Sequence, residues 1–412
     1  MQTQQLINPA RTVVLAALPP LSLYVHIPWC VRKCPYCDFN SHELKTPAAR
    51  PLAVSAESGL AIGPELESQY VSALIADLEL ALPQVWGRPV HTVFLGGGTP
   101  SLLSPRALDQ LLSAIRARLP VAPDAEITLE ANPGTFEAQK FNDFRAAGIN
   151  RLSIGIQSFD PAHLRALGRI HDATQARTAI EIAQASFDNF NLDLMYALPG
   201  QSVEQAIADI DAAIGFGPRH VSAYHLTIEP NTYFHRHPPQ VPDPDVAADM
   251  QEAIEARLDS AGYRHYETSA FAQPAHEARH NLNYWTFGDY LGIGAGAHSK
   301  ISFADRIVRQ MRVKHPRDYL QKMAANAPVQ QEQRLVPGEL PFEFMMNALR
   351  LIDGFELRLF AERTGLSVDA LRQPLDTAER SGLLERDHAR VRPTLRGQRF
   401  LNDLLQIFLD AG

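Results

Sequence analysis

Apolar segments of strand length recur up to residue 228 of this 412-residue chain, and amphipathic helical patterns separate them. The helical patterns occupy 67–82, 104–119, 135–148 and 202–215, and Ser104–Pro105 supplies an N-cap and a first-turn proline. Strands that are apolar throughout and alternate with helices pair in parallel and are covered by those helices. The pattern therefore predicts an α/β fold, a partial (β/α)6 barrel rather than a closed eight-unit one. Its strands are predicted at 21–27, 90–98, 126–133, 151–158, 191–199 and 220–228.

Changes in composition divide the rest of the chain. Residues 43–64 are rich in Ala, Pro, Gly and Ser and are predicted to form a flexible insertion. From residue 337, helical patterns precede a hairpin-like stretch and a last helix, an order typical of a small winged-helix-like α+β domain. The predicted divisions are a lead-in at 1–20, the barrel at 21–262, an extension at 263–336 and the C-terminal domain at 337–412.

The charge balance argues against a nucleic-acid partner. The chain carries a formal net charge of −8, and from Glu339 onward ten Arg and no Lys stand against twelve Asp and Glu. A DNA-reading domain is usually basic, so a packing or lid role is favoured over a DNA-binding regulator. No apolar window reaches membrane-spanning length, which predicts a cytoplasmic protein without an integral membrane segment.

All the cysteines of the chain lie within "CVRKCPYC", as Cys30, Cys34 and Cys37. Spacings of two and three residues suit disulfides poorly, whereas three thiolates on one loop suit a metal site. Four cysteines would saturate a 4Fe–4S cluster, and three leave one iron free to bind a small molecule through amino and carboxylate groups. The alternative is zinc completed by His26, Asp38 or His42, but structural zinc prefers paired CxxC motifs and four protein ligands. We therefore favour an iron–sulfur cluster.

The segment "YVHIPWCVRKCPYCDF" resembles the radical S-adenosylmethionine (SAM) superfamily. Together with "GGGTPS", "LEANPGT", "RLSIGIQSF", "LGRIHD", "NLDLMYALPGQ" and "HNLNYW", it is most similar to the coproporphyrinogen III oxidase-like branch, and within that branch to the heme chaperone family HemW. The resemblance implies a radical-SAM barrel, a 4Fe–4S cluster on the three cysteines, and SAM on the open iron. The positions it assigns to SAM are Tyr24, Tyr36, Gly97, Gly98, Thr99, Glu130, Gln157, Arg169 and Asp193.

The residues alone leave other interpretations of these positions open. The glycines at 96–98 also fit a tight turn after a strand, and Glu130 could serve as a cap or helix-pairing residue. Arg169 suits a carboxylate because its guanidinium is planar and bidentate. In the oxidase several of these positions bind a second SAM molecule, and matching residues do not establish that a second molecule binds here.

"HNLNYW", residues 280–285, is the most informative late motif. His280 could be an axial ligand to heme iron, and Tyr284 and Trp285 offer flat aromatic surfaces to a macrocycle. Taken alone, the motif is more typical of a capped helix or of core packing, because lone histidines are common structural residues. The resemblance implies heme binding at His280, Asn281, Tyr284 and Trp285, and "HRHPP" at 235–239 contains rival histidines.

Two departures from the oxidase pattern decide between the functions that the resemblance implies. Phe39 stands where the oxidase has a fourth cysteine, and only 29 residues precede Cys30. Both departures favour a heme chaperone, which carries heme as cargo and passes it to an acceptor protein such as a respiratory hemoprotein. The alternative is an enzyme, an oxygen-independent coproporphyrinogen III oxidase that decarboxylates propionate side chains by radical chemistry.

Overall fold

A computed structural model describes residues 13–44, 62–135 and 137–409 of the chain. Most of the predicted lead-in, residues 1–12, and most of the predicted insertion, residues 45–61, lie outside the described residues.

The strands are given first, in chain order. They are β1 (Leu21–Ile27), β2 (Trp29–Cys30), β3 (His42–Glu43), β4 (Val90–Gly97), β5 (Val121–Ala131), β6 (Arg151–Gln157), β7 (Phe190–Tyr196), β8 (His220–His225), β9 (Arg264–Glu267), β10 (Ala270–Ala272), β11 (Asp289–Ile293), β12 (His298–Phe303), β13 (Arg306–Arg312), β14 (Val329–Arg334), β15 (Phe355–Glu356), β16 (Leu384–Arg386) and β17 (Arg390–Pro393).

The helices follow in the same order. They are α1 (Pro64–Val85), α2 (Pro105–Arg118), α3 (Ala138–Ala147), α4 (Pro161–Ala166), α5 (Ala173–Ser186), α6 (Val203–Gly215), α7 (Tyr233–Arg236), α8 (Pro244–Ser260), α9 (Arg279–Trp285), α10 (Pro316–Ala324), α11 (Leu340–Ala348), α12 (Leu357–Thr364), α13 (Arg372–Arg380), α14 (Leu395–Arg399) and α15 (Leu401–Leu409), with 3-10 turns at Pro100–Leu102, Pro133–Thr135 and Val368–Leu371.

Six parallel strands form the centre of the main sheet, in the order β1-β4-β5-β6-β7-β8. Every residue of β1 except Tyr24 is buried, as expected for a parallel strand with both faces covered. Ser104 caps α2 as predicted, because its hydroxyl accepts a hydrogen bond from Ala107 N at 3.2 Å. The α/β class with six predicted strands is confirmed, and each predicted strand overlaps an observed one.

The extension after residue 262 enlarges this same sheet. β11 pairs in parallel with β1, and β12, β13 and β14 continue outward from it in antiparallel order. At the other edge β10 and β9 follow β8. The sequence analysis did not predict these strands, because buried Ser299, Lys300, Gln310 and Arg312 interrupt their apolar pattern.

A buried charge cluster holds the first residue of β11. The Asp289 carboxylate accepts hydrogen bonds from Lys300 Nζ at 2.9 Å and from Ser302 N at 2.9 Å, and it pairs with Arg88 at 2.8 Å. Burial alone would raise the pKa of Asp289, but the two cations outweigh it and hold that pKa below its usual value. The cluster therefore fixes the junction between α9 and the sheet.

A second buried carboxylate, Asp77, ties α1 to the extension. It accepts hydrogen bonds from Gly294 N at 3.0 Å, from Arg312 Nε at 3.1 Å and from Tyr319 OH at 2.9 Å. The side chains of Asp77 and Arg312 are 0% and 1% exposed. Asp77 thus joins α1 to β13 by an ion pair and to α10 by a hydrogen bond.

The C-terminal residues form a small α+β unit, which confirms the predicted C-terminal domain. Its three-stranded antiparallel sheet has the order β15-β17-β16; along the chain β15 lies between α11 and α12, β16 and β17 follow α13, and α14 and α15 come last. Its core includes Phe287 and Ile307 of the extension, so it packs directly against the chain that follows α9. No helix within the described ranges is long and apolar enough to cross a membrane.

Replacing Asp77 tests the ion pair. Asp77→Ala leaves the Arg312 guanidinium buried without its counter-charge, and we expect the free energy of unfolding to fall by about 3–5 kcal/mol. The matched control is Asp188→Ala, which removes an ion pair with Arg145 whose carboxylate is 94% exposed and should cost less than about 1 kcal/mol. Denaturant titration measures both variants, and equal losses would contradict the assignment.

Candidate functional site

A cavity of about 640 Å³ runs along the inward face of the parallel strands. All sixteen residues that the sequence analysis assigned to the cluster, SAM or heme line it. These residues are Tyr24, Cys30, Cys34, Tyr36, Cys37, Gly97, Gly98, Thr99, Glu130, Gln157, Arg169, Asp193, His280, Asn281, Tyr284 and Trp285. The rival histidines His235 and His237 are exposed and are not among the lining residues.

The cavity follows the full length of β6. Its lining alternates along that strand as Arg151, Ser153, Gly155 and Gln157, the period expected when one face points inward. Six residues of strand span about 20 Å. The cysteine loop therefore lies near one end of the cavity, and Arg151 lies at the other.

The cysteine loop follows β1 at the carboxyl end of the sheet. Cys37 N donates to Cys34 O at 3.1 Å, and Leu44 N donates to Cys30 O at 3.0 Å, so the loop is closed on itself. The short parallel pair β2–β3 fastens its ends, with Trp29 opposite His42. All three thiols are half-buried.

Each sulfur has a polar neighbour from the protein. Thr99 Oγ1 lies 3.6 Å from Cys30 Sγ, Arg169 Nη1 lies 3.5 Å from Cys34 Sγ, and the Ser41 hydroxyl lies 3.5 Å from Cys37 Sγ. Burial raises the pKa of Cys30 to about 11, so this environment favours a thiol until a metal takes the place of the proton. Three soft donors on one closed loop, each with a donor group nearby, fit an iron–sulfur cluster.

Two of the three side chains proposed to complete a zinc site, His26 and His42, are engaged by other groups. Both ring nitrogens of His26 are occupied, Nδ1 by Tyr24 OH at 2.9 Å and Nε2 by Asn40 O at 3.0 Å. His42 Nε2 contacts Asn40 Oδ1 at 3.2 Å, and Asp38 is exposed. Among the described residues, no group of three or more His, Cys, Asp or Glu side chains is placed to hold a metal ion. A cluster differs from this case because each thiolate bonds a separate iron.

The glycines after β4 bring that strand close to the cysteine loop. Thr99 N donates to Trp29 O at 2.8 Å, and a Cβ on Gly98 would lie 2.5 Å from the same oxygen. Gly97 has φ of 113°, and its N–H donates to Glu130 Oε2 at 2.9 Å. The tight-turn interpretation is therefore sufficient for these glycines, whether or not a ligand also approaches them.

Two half-buried carboxylates, Glu130 and Asp193, line the cavity. Burial raises the pKa of Glu130 to about 7, and the charge of Asp193 adds to the effect. Burial also raises the pKa of Asp193, against hydrogen bonds from Ser153 Oγ at 2.9 Å and Asn191 Nδ2 at 2.8 Å. Glu130 thus changes charge near neutral pH.

Arg169 and Gln157 lie at the end of β6 nearest the cysteines. Arg169 Nη2 donates to Asn132 Oδ1 at 2.7 Å and to Gly155 O at 2.6 Å, while its buried Nε has no acceptor. Gln157 has φ of 70°, a left-handed conformation uncommon for a residue with a side chain. Strain of this kind concentrates at ligand sites.

The "HNLNYW" motif forms α9, which packs beneath β1, β4 and β5. The carboxylate of Glu126 accepts from Arg279 N at 3.2 Å and from His280 N at 3.1 Å, so it caps the helix. Asn283 Nδ2 donates to Ser22 Oγ at 2.8 Å. The helix is thus bound to three strands, which is the structural role that the sequence analysis kept open.

His280 is 1% exposed, and both of its ring nitrogens have partners. Thr92 Oγ1 donates to Ser22 Oγ at 2.7 Å, so it accepts from Nδ1–H of His280 at 2.7 Å. The lone pair of Nε2 then accepts from Tyr284 OH at 3.1 Å. Burial lowers the pKa of His280 to about 3, with a further contribution from Arg151, so the imidazole is neutral.

Trp285, at the end of α9, has a buried indole N–H without an acceptor among the described residues. The guanidinium of Arg350, from the C-terminal domain, lies 4.3 Å from the centre of its ring. The C-terminal domain therefore covers the motif helix.

Sequence reasoning missed several polar residues deeper in the cavity. Asn191 and Ser153 stand two and four residues before predicted site positions on their strands, so the strand period of two could have found them. Two more residues line the cavity: His225, the exposed last residue of β8, and Arg151, the first residue of β6. Phe39, in place of the oxidase cysteine, is 64% exposed at the cavity.

Two family models match the chain. The model of the radical SAM superfamily matches residues 24–213, and that of the HemN C-terminal domain matches residues 335–400. The coproporphyrinogen III oxidase HemN from Escherichia coli, a radical SAM enzyme of known structure, superimposes with a TM-score of 0.77 over 95% of this chain and 90% of its own, at 22% identity. That likeness establishes the shared fold.

Curated relatives give a closer match. The heme chaperone HemW of Escherichia coli strain K12 is 47% identical over 96% of this chain and 100% of its own length. That of Haemophilus influenzae is 43% identical over 95% and 98%, and that of Mycobacterium tuberculosis H37Rv is 37% identical over 97% and 98%. The chain therefore belongs to the HemW family of the radical SAM superfamily.

Proposed function

We propose that this protein is a heme chaperone, which binds heme in the cavity described above and transfers it to an acceptor hemoprotein, such as a respiratory one. The names of its full-length relatives support this function. The observation that carries it is that the cysteine loop and the "HNLNYW" helix face one cavity. A carrier needs the cofactor site and the cargo site to be in contact if one is to respond to the other.

Membership of the radical SAM superfamily implies an iron–sulfur cluster and SAM. In the proposal, Cys30, Cys34 and Cys37 hold a 4Fe–4S cluster, which when bound supplies an open iron and an electron for reductive SAM chemistry. Around that iron, the Glu130 carboxylate accepts hydrogen bonds from the ammonium of SAM. Arg169 offers its buried Nε to a carboxylate, and Asp193 and Gln157 bind ribose hydroxyls.

At the heme end, His280 Nε2 is the proposed iron ligand. Metal-ligating histidines commonly donate their other N–H to a fixed acceptor, and Thr92 accepts that hydrogen bond here. A neutral imidazole is required, and burial keeps His280 neutral. The Tyr284 side chain must move, because its oxygen lies 3.1 Å from Nε2 and would clash with a bound iron. The ring of Phe94 stacks 5.0 Å from the imidazole and continues the aromatic wall.

The second candidate is coproporphyrinogen III decarboxylation. Its support is that every SAM position carried over from the oxidase branch lines the cavity. Release of labelled CO₂ from coproporphyrinogen under anaerobic reduction would favour it. Repeated failure with an intact cluster would leave the chaperone as the function.

The first test is an anaerobic hemin titration of cluster-reconstituted protein, followed by absorption. We expect near-stoichiometric binding by the wild type, and a loss of at least about tenfold in affinity with a changed Soret band in His280→Ala. The matched control is His237→Ala, which removes an exposed imidazole outside the cavity and should bind as the wild type does.

Other outcomes of this titration identify a different ligand or function. If His280→Ala binds hemin as the wild type does, the heme-carrier function stands but the iron ligand is another histidine. The candidates are His225, which lines the cavity, and His235 and His237. No binding by wild-type protein would overturn the carrier, and the coproporphyrinogen assay would follow.

Tyr284→Phe tests whether the iron ligand is Nε2 of His280 or the neighbouring phenol oxygen of Tyr284. This change removes only the hydroxyl that donates to His280 Nε2. If Nε2 is the ligand, the variant should bind hemin at least as tightly as the wild type, because no hydrogen bond must be broken first. Weaker binding and loss of a charge-transfer band would instead identify the phenolate oxygen as the ligand.

The pKa of about 7 for Glu130 predicts a pH dependence of SAM binding. As pH falls below 7 this carboxyl becomes protonated and can no longer attract an ammonium group. The dissociation constant for SAM should therefore rise by up to about fivefold between pH 7 and pH 6. Equilibrium dialysis of reconstituted protein measures it. Glu130→Gln should bind weakly at both pH values, and a variant that kept the full slope would refute the assignment.

A further inference from the structure

Arg151 is the least expected side chain of the cavity. It is the first residue of β6, it is 2% exposed, and it lines the cavity at the end remote from the cysteines. The structure gives its guanidinium no hydrogen bond or ion pair with any described residue, and its Nε is fully buried without an acceptor. A buried cation without a partner costs several kcal/mol of folding free energy, so its presence calls for a ligand.

The charged and titratable groups around Arg151 do not provide that partner. Asp193 feels its charge, but the two oxygens of Asp193 already accept hydrogen bonds from Ser153 and Asn191. His280 and His220 are neutral and have both ring nitrogens occupied. The guanidinium therefore keeps its donors for a group that enters through the cavity.

We propose that Arg151 binds a carboxylate of the molecule that fills the cavity. A guanidinium offers a carboxylate two parallel N–H donors, and burial strengthens the pair. Resting on the chaperone function proposed above, we assign this carboxylate to a propionate of heme. His280, the proposed iron ligand, and Arg151 both line this cavity, so one tetrapyrrole that fills it would contact both residues.

A carboxylate of SAM is the other source with the same chemistry. Arg169, the residue proposed to bind the SAM carboxylate, contacts Cys34 Sγ and Gly155 O, and Gly155 lies four residues, or about 13 Å, along β6 from Arg151. That separation favours the propionate, and the experiment distinguishes the two sources.

The test compares hemin, hemin dimethyl ester and SAM as ligands of wild type, Arg151→Gln and Arg165→Gln. The ester keeps the iron and macrocycle but has no carboxylate. Arg165 is an exposed arginine on α4, so its substitution is the matched control for loss of one positive charge. Arg151→Gln should weaken hemin by about ten- to a hundredfold and leave the ester and SAM within about threefold. Arg165→Gln should leave all three unchanged.

Each other result has a defined meaning. Wild-type protein that binds neither hemin nor its ester overturns the chaperone function itself. Wild type that binds both equally well overturns the propionate assignment, and this arm needs no variant to fold. Equal losses of hemin and ester in Arg151→Gln would make Arg151 a residue that acts through His280. A selective loss of SAM would assign the carboxylate to SAM instead.

Discussion

The position of α9 depends on the buried carboxylate of Asp289. β11 pairs with β1 and extends the six-stranded parallel sheet at that edge. Lys300 and Arg88 neutralise Asp289 at the point where α9 ends and β11 begins. Lys300 also donates to the carbonyl of Phe287, so the turn between helix and strand is held from within. This junction therefore helps to hold α9, whose residues form part of the cavity wall.

Structural roles and the proposed binding roles fall on the same residues. Gly98 permits β4 to approach the cysteine loop, and its position also opens the cavity beside the sulfurs. His280 anchors α9 to β4 through Thr92, and the same hydrogen bond leaves the lone pair of Nε2 on the side of Tyr284. A motif of this kind is therefore constrained twice, once by packing and once by chemistry.

The features that could be predicted from the sequence are those encoded by local patterns of residues. Continuous apolar segments predicted the six parallel strands. The cysteine spacing and the family resemblance predicted sixteen site residues, all of which line one cavity. It missed β11–β14, because buried charges such as Lys300 and Arg312 read as surface residues unless their partners, Asp289 and Asp77, are known. Arg151 was missed for a related reason. An arginine at the start of a strand is ordinarily solvated, and only the tertiary fold buries this one without a partner.

The shared cavity has a thermodynamic consequence for the proposed chaperone. Tyr24 and Glu130 on one side and Tyr284 on the other all line it, so a cofactor at the cysteines and a cargo at α9 touch common walls. If bound cofactor changes the affinity for the cargo by some factor, bound cargo changes the affinity for the cofactor by the same factor, because linkage is reciprocal. An acceptor that withdraws the cargo then alters how tightly the cofactor is held. The protein would report its own loading state without a separate regulatory site.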